Sequence, residues 1–237
     1  MISPWMTKVI GMLPKSLVSF ISRKVILGYV DKYADITVQG EENLLEVKKP
    51  AIYICNHLSN ADGLVLHKVL NKYDDITFVA GVKLKGNSLT NLGLNIVKTT
   101  PVKPNTADKE GIKKIINILK SGNSILIFPE GTRSRVGKMI EGKKGILLIA
   151  KLTKAPIIPI AMTGTEKLLP INKEGKMEQE KFNYSKINMK IGKMFNLPKI
   201  NKEENKKDYE IKCLNTIMHS IADLLPEEYR GAYSSTK

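Results

Sequence analysis

The stretch ILIFPEGTRSR, Ile125 to Arg135, sets an apolar run against an abrupt polar turn. Ile125, Leu126, Ile127 and Phe128 form a short continuous apolar segment closed by turn residues, the pattern of a strand buried on both faces. Pro129 cannot donate to a sheet ladder and ends the strand. Gly131 then permits positive φ or a close backbone approach, and N–H groups exposed in such a turn form a concavity suited to an anion. Arg133 can grip a phosphate through two parallel hydrogen bonds. Glu130 either holds Arg133 in place or accepts a hydrogen bond from a substrate hydroxyl. The bland reading of these residues is a tight turn with a surface salt bridge. A glycine, a hydroxyl and an arginine at a strand's carboxyl end, where open α/β sheets bind ligands, also compose an anion site of Glu130, Gly131, Thr132 and Arg133.

Working outward, residues 107–122 (ADKEGIKKIINILKSG) read as an amphipathic helix with Ile112, Ile115, Ile116 and Leu119 on one side and a Ser-Gly stop. Residues 145–155 (GILLIAKLTKA) have helical length, and 156–164 (PIIPIAMTG) read as a strand. Upstream, 35–40 (DITVQG), 51–56 (AIYICN) and 76–81 (ITFVAG) are strand candidates; downstream, INMKIGKMF at 187–195 is another, and a closing helix falls within 201–229. Residues 172–186 (NKEGKMEQEKFNYSK) read as a solvated loop. Strands alternating with helices predict an α/β fold: a single domain over 34–237, its largely parallel or mixed sheet flanked by helices.

The N-terminal thirty residues are apolar but interrupted by Lys8, Pro14, Lys15, Arg23 and Lys24, so they lack the run of about 18 apolar residues that a spanning helix needs. No small-residue cleavage site follows an apolar stretch, which argues against a secretory signal. Ser3-Pro4 starts one helix, Pro14 breaks it, and a second carries Leu17, Phe20, Ile21 and Val25 at helical spacing. Residues 1–33 form either a two-helix appendage in the membrane interface, lysines near lipid phosphates, or a hairpin packed on its own domain.

The chain has 237 residues, 38 basic against 23 acidic, for a formal charge of +15 and a pI near 9.6. That excess calls for an anionic partner: nucleic acid, an anionic membrane surface or a phosphorylated substrate. Aromatic residues are only 6% and no nucleic-acid-binding motif is present, which counts against nucleic acid. Cys55 and Cys213 are too few for a disulfide framework or a cysteine zinc site, and a reducing compartment on the cytosolic side is the default.

Directly after the strand candidate at 51–55 comes NHLSNAD, with His57 five positions before Asp62. A carboxylate there can hold the imidazole's Nδ1–H and leave Nε2 to take a proton, the division of labour of a Ser-His-Asp triad without its serine. The alternative is a helix cap beside a satisfied histidine. His67 and His219 offer no zinc spacing with His57, so no metal is expected, and both read as surface or packing residues. Cys55 reads as a small apolar residue on the sheet face and Ser59 as a helix cap rather than as nucleophiles. Neither a nucleotide phosphate loop nor a dinucleotide fingerprint occurs.

Together NHLSNAD and FPEGTRSR, followed by GKMIEGKKG and APIIPIAMTG, resemble the glycerolipid acyltransferase family, within it the 1-acyl-sn-glycerol-3-phosphate acyltransferases; the likeness runs from about Ala51 to Gly164. Between its two blocks the family usually shows an arginine, where GLNIVKTTPVKP offers Lys98 and Lys103, and Lys103 is the nearer match. The resemblance implies transfer of an acyl group from acyl-CoA or acyl carrier protein to the 2-hydroxyl of lysophosphatidic acid, giving phosphatidic acid. Under it His57 is the general base, Asp62 its orienter, and Gly131, Thr132, Arg133 and Lys103 bind the acceptor phosphate, with Glu130 ordering their loop. It implies no cofactor beyond the thioester co-substrate, no covalent acyl-enzyme, and a membrane-associated protein on the cytoplasmic face. Another lysolipid of the same general kind remains a rival acceptor.

Overall fold

A computed structural model describes residues 15–81, 97–103, 106, 108–172, 179–200 and 204–234. In chain order the elements are α1 (Lys15–Tyr33), β1 (Ala34–Gln39), β2 (Ile52–Cys55), α2 (Asp62–Leu70), β3 (Thr77–Gly81), β4 (Thr99–Val102) and α3 (Lys109–Lys120). Then come β5 (Ile125–Ile127), α4 (Gly145–Thr153), β6 (Ile157–Thr163), α5 (Thr165–Leu168), β7 (Ser185–Ile191), α6 (Lys206–Ala222) and α7 (Glu227–Arg230).

The strands make one seven-stranded sheet ordered β1-β7-β6-β2-β5-β3-β4. Only the β6–β7 pairing is antiparallel; β1 pairs with β7 in parallel, so these two run against the other five. The expected α/β domain with a largely parallel, mixed sheet is therefore the architecture found. β2 lies between β5 and β6, and all four of its residues are buried, which is why it reads as an uninterrupted apolar run. Its alternation still decides the layers. Tyr53 and Cys55 enter one core with Ile26, Val30 and Leu66, whereas Ile52 and Ile54 enter the other with Ile115, Leu119, Ile146, Ile149, Ile217 and Ile221. The sheet is thus covered on one face by α1 and α2 and on the other by α3, α4 and α6.

Local chemistry fixes the helix ends. The Asp108 side chain caps α3 by accepting from Gly111 N, and Ile115 and Leu119 form its buried stripe. Asn205 caps α6 by accepting from the N–H groups of Lys207 and Asp208. The helix expected to close the chain stops at Ala222, and the short α7 follows Pro226. The helix that a cap at Ser59 or Asp62 implies is α2, whereas β4 was not expected as an element. α2 starts from Ser59-x-x-Asp62, in which Asp62 accepts from Ser59 N although Ala61 stands at the helix start, and the short β4, TTPV, carries a proline on the sheet's edge, where no neighbour needs its missing donor.

The second N-terminal helix starts just after Pro14, as its sequence implies, while the first lies outside the described residues. α1 does not stand apart from the domain. Ile26 and Val30 are buried in the core, and Tyr29 and Tyr33 stack with Phe182, with ring centroids 5.6 and 6.3 Å away. Phe20, nearer the helix start, is 66% exposed. Packing on its own domain thus describes the later half of α1. Among the described residues no helix is long and apolar enough to cross a membrane.

Candidate active site

The parallel register of β2 and β5 pairs Ile54 with Ile127, so three further residues on each strand bring His57 opposite Glu130. The two loops are then bonded to each other. Glu130 is fully buried; its Oε1 accepts from His57 N at 2.7 Å and its Oε2 from Ile140 N at 2.8 Å. In return Ser134 N donates to His57 O at 2.7 Å, so both backbone polar groups of His57 are held by the β5 loop. The Phe128 ring lies flat on the imidazole, with centroids 3.9 Å apart and planes 12° from parallel. Gly131 sits at φ 71° in the turn, and a Cβ there would approach the Lys143 side chain to 3.1 Å.

Asp62, at the first turn of α2, is wholly buried and turns back on the segment before it. Its Oδ2 accepts from His57 Nδ1 at 2.7 Å, Leu58 N at 2.7 Å and Ser59 N at 2.9 Å. With Nδ1 donating to a carboxylate, the lone pair of a neutral imidazole falls on Nε2. Cap and orienter, alternatives in the sequence, are one arrangement: the aspartate orders the loop and the histidine together. Asn56 fixes the start of the loop by a reciprocal pair with the Met162 backbone, at 2.9 and 2.8 Å. Ser59 Oγ donates to Leu169 O at 2.7 Å and accepts from Ala61 N, which makes it an anchor. Cys55 is fully buried, and burial pushes its thiol well above the ordinary range.

Of the roles weighed for Glu130, its contacts match the ordering of its loop. Among the described residues it makes no ion pair with Arg133, and each of its oxygens accepts from a backbone N–H group out of solvent. It is a positioning residue for the histidine. Burial pushes its carboxyl up to about 7, against the pull of the Ile140 and His57 N–H groups, and the nearby Asp62 charge pushes the same way.

Arg133 faces Glu180 instead, Nη1 to Oε1 at 3.8 Å. Burial pulls the guanidinium below its ordinary value, opposed by the charges of Glu180 and Asp62, while Arg135 adds to the fall. Gly131 and Thr132 are exposed on the same turn. Lys103 stands past the carboxyl end of β4, two strands from β5, and its N–H donates to Asp108 at 2.7 Å. Lys98 pairs with Asp75 at 2.8 Å. Among the described residues no contact joins either lysine to Arg133.

Glu180 is an exception to the reading of 172–186 as a solvated loop, of which 173–178 lie outside the described residues and Ser185 already belongs to β7. Glu180 is 8% exposed and accepts from Asn60 Nδ2 at 2.5 Å and Asn172 N at 3.2 Å. No spacing in that polar segment signals it. His67 and His219 lie edge-on to Phe78 and Tyr233, the packing roles expected of them. Among the described residues no group of three or more His, Cys, Asp or Glu side chains is placed to hold a metal ion.

A family model described as Acyltransferase matches residues 35–163, more than half of the chain and the part that carries His57, Asp62, Glu130 and Arg133. The chain belongs to the Acyltransferase family. Over 140 residues it is 32% identical to a chloroplastic 1-acyl-sn-glycerol-3-phosphate acyltransferase of Brassica napus, a match covering 58% of this chain and 40% of that protein. Over 144 residues it is 31% identical to a probable 1-acyl-sn-glycerol-3-phosphate acyltransferase of Mycoplasma genitalium, covering 56% of this chain and 48% of the relative. These matches span less than half the length of either curated relative. The crystal structure of the 1-acyl-sn-glycerophosphate acyltransferase PlsC from Thermotoga maritima shares the fold, with a TM-score of 0.61 at 24% identity over 89% of this chain and 80% of that one.

Proposed function

We propose that this acyltransferase moves a fatty acyl group from a thioester of coenzyme A or acyl carrier protein to the 2-hydroxyl of 1-acyl-sn-glycerol 3-phosphate, giving phosphatidic acid. The observation that carries the reading is the pair of bonded loops: a His57–Asp62 couple and the Arg133 turn, locked side by side through Glu130. His57 Nε2 takes the proton of the acceptor hydroxyl as its oxygen attacks the thioester carbonyl carbon. The C–S bond breaks, and the imidazolium returns the proton to the departing thiolate, so that ester and free thiol are the products. Asp62 stabilises the imidazolium that forms between these steps. The thioester is itself activated, and the reaction draws on no further cofactor. Arg133, with the Gly131–Thr132 turn, holds the acceptor phosphate, and Lys103 adds positive charge from the end of β4, two strands away. Both substrates are anionic and the acceptor is a lipid, which suits a chain of +15 bound peripherally at the cytoplasmic leaflet.

The test is a panel of lysolipids assayed with one acyl thioester. Hydrogen bonds to charged groups contribute about 1.5–3 kcal/mol, so lysophosphatidic acid should exceed monoacylglycerol roughly ten- to 150-fold in kcat/KM. Equal use of the two would discard the acceptor assignment, and a clear preference for a larger headgroup would replace it.

A further inference from the structure

Glu180 belongs to neither of the loops that follow β2 and β5, yet it touches both. Its side chain, 3% exposed, meets Arg133 of the β5 loop at 3.8 Å and Asn60, inside the His57–Asp62 segment, at 2.5 Å. The chain around it is pinned independently. Asn183 N donates to Leu168 O at 2.9 Å, and Phe182 stacks with both Tyr29 and Tyr33 of α1. The carboxylate is therefore presented by a fixed segment.

The guanidinium it faces is only half satisfied. Nη1 is buried without a hydrogen-bond partner, and among the described residues no hydrogen bond runs from any Arg133 nitrogen to protein. A guanidinium has five N–H donors in a planar fork. Glu180 backs one edge of that fork by charge alone, and the donors of the outer edge are left for a ligand.

We infer that Glu180 is a positioning residue: its carboxylate holds the Arg133 fork, at a set distance from the histidine segment, and so makes the site selective for an acceptor bearing a phosphate monoester. The inference rests on the acceptor reading above. Two effects oppose each other here. Removing the carboxylate frees the guanidinium to leave its productive plane, and it also removes a negative charge near an incoming anion. Positioning dominates because Arg133 would stand between the two anions and, among the described residues, has no hydrogen bond of its own to hold its plane.

Glu180→Gln removes the charge and keeps the shape: its one oxygen still accepts from Asn172 N, and the Asn60 amide must turn to offer its oxygen to the new NH2. With one acyl thioester, it is expected to raise KM for lysophosphatidic acid roughly five- to twenty-fold, inside the range of a directly coupled pair, with kcat changed far less. Monoacylglycerol kinetics should move far less, and the substitution should add little in an Arg133→Ala background. Glu180→Asp, which retains the charge, should recover part of the lost KM. An unchanged or lowered KM, equal losses with both acceptors, or an effect that persists without Arg133 would each overturn the assignment. Should the glutamine variant not fold, the aspartate variant decides alone: a selective KM rise supports positioning, and an equal loss on both acceptors refutes it. Failure of the acceptor reading is visible separately, in the unsubstituted enzyme, as equal use of lysophosphatidic acid and monoacylglycerol.

Discussion

Glu130 accepts the backbone N–H of His57 at 2.7 Å through one oxygen and that of Ile140 at 2.8 Å through the other. A carboxylate that lies three residues before an arginine is thus committed to the main chain of the histidine in the other loop. Moving His57 relative to the Arg133 turn means breaking a bond to a buried acid, which is how two loops separated by some seventy residues of chain keep one geometry.

Glu130→Gln leaves one acceptor oxygen for two N–H groups, and an unpaired buried donor costs about 1–3 kcal/mol. The variant should melt earlier and turn over more slowly. Its pH dependence separates this from ordinary loss of packing. With the folded carboxyl near 7 and the ordinary value at 4.5, the folded chain binds more protons than the unfolded one between those limits. Stability from this group therefore falls as pH rises through that window, by about 3 kcal/mol at most, and is level above it. Urea unfolding from pH 5 to 8 should show the difference between wild type and Glu130→Gln shrinking as pH rises. Parallel curves would remove the raised carboxyl from the account.

His57→Ala should lower turnover by about 10²- to 10⁴-fold with the fold intact, since the ring is stacked on Phe128 at the surface of the core rather than within it. Asp62→Asn should also cut turnover sharply, and it should cost stability as well, because one oxygen of Asp62 serves three donors. Turnover assays beside circular dichroism check both. A His57→Ala enzyme within about three-fold of wild type would end its assignment as the base.

Direct transfer predicts that no acyl-enzyme forms. Cys55→Ala should keep most activity, because the thiol is fully buried in the core. Ser59→Ala should keep the chemistry but lower the melting temperature, since its hydroxyl ties the histidine loop to Leu169. Mass spectrometry after addition of the acyl thioester alone is the check, and an adduct on either residue would refute the mechanism.

Much of this was legible in the sequence because the informative residues are local. β2 and β5 show as apolar runs, and the His57 and Arg133 segments sit directly at their ends, so two short blocks exposed both strands and both halves of the site. Glu180 was not legible. It lies among lysines and glutamates in a segment with no period, and only the return of the chain between β6 and β7 brings it to Arg133. The role of Glu130 was hidden for a related reason: adjacency to Arg133 suggested a local pair, whereas strand register put His57 opposite it. α1 looked like an appendage because its apolar residues are spaced for a helix whichever surface receives them; Ile26 and Val30 show that the domain receives half of it.

That division of α1 decides how membrane attachment should be tested. Deleting residues 1–30 would strip Ile26 and Val30 from the core, at about 1.5–3 kcal/mol for each fully buried side chain, and would confuse unfolding with release. Removing residues 1–14, or replacing the exposed Phe20 by Glu, leaves that packing in place. Either change should loosen binding to vesicles containing anionic lipid while the melting temperature stays close to wild type. High salt should weaken the wild type only partly, because screening removes the attraction of the lysines for lipid phosphates but not the burial of apolar side chains. Vesicle co-sedimentation at low and high salt, with melting curves of the same samples, distinguishes the outcomes. Full retention of the truncated chain on vesicles would move the attachment surface elsewhere on the domain.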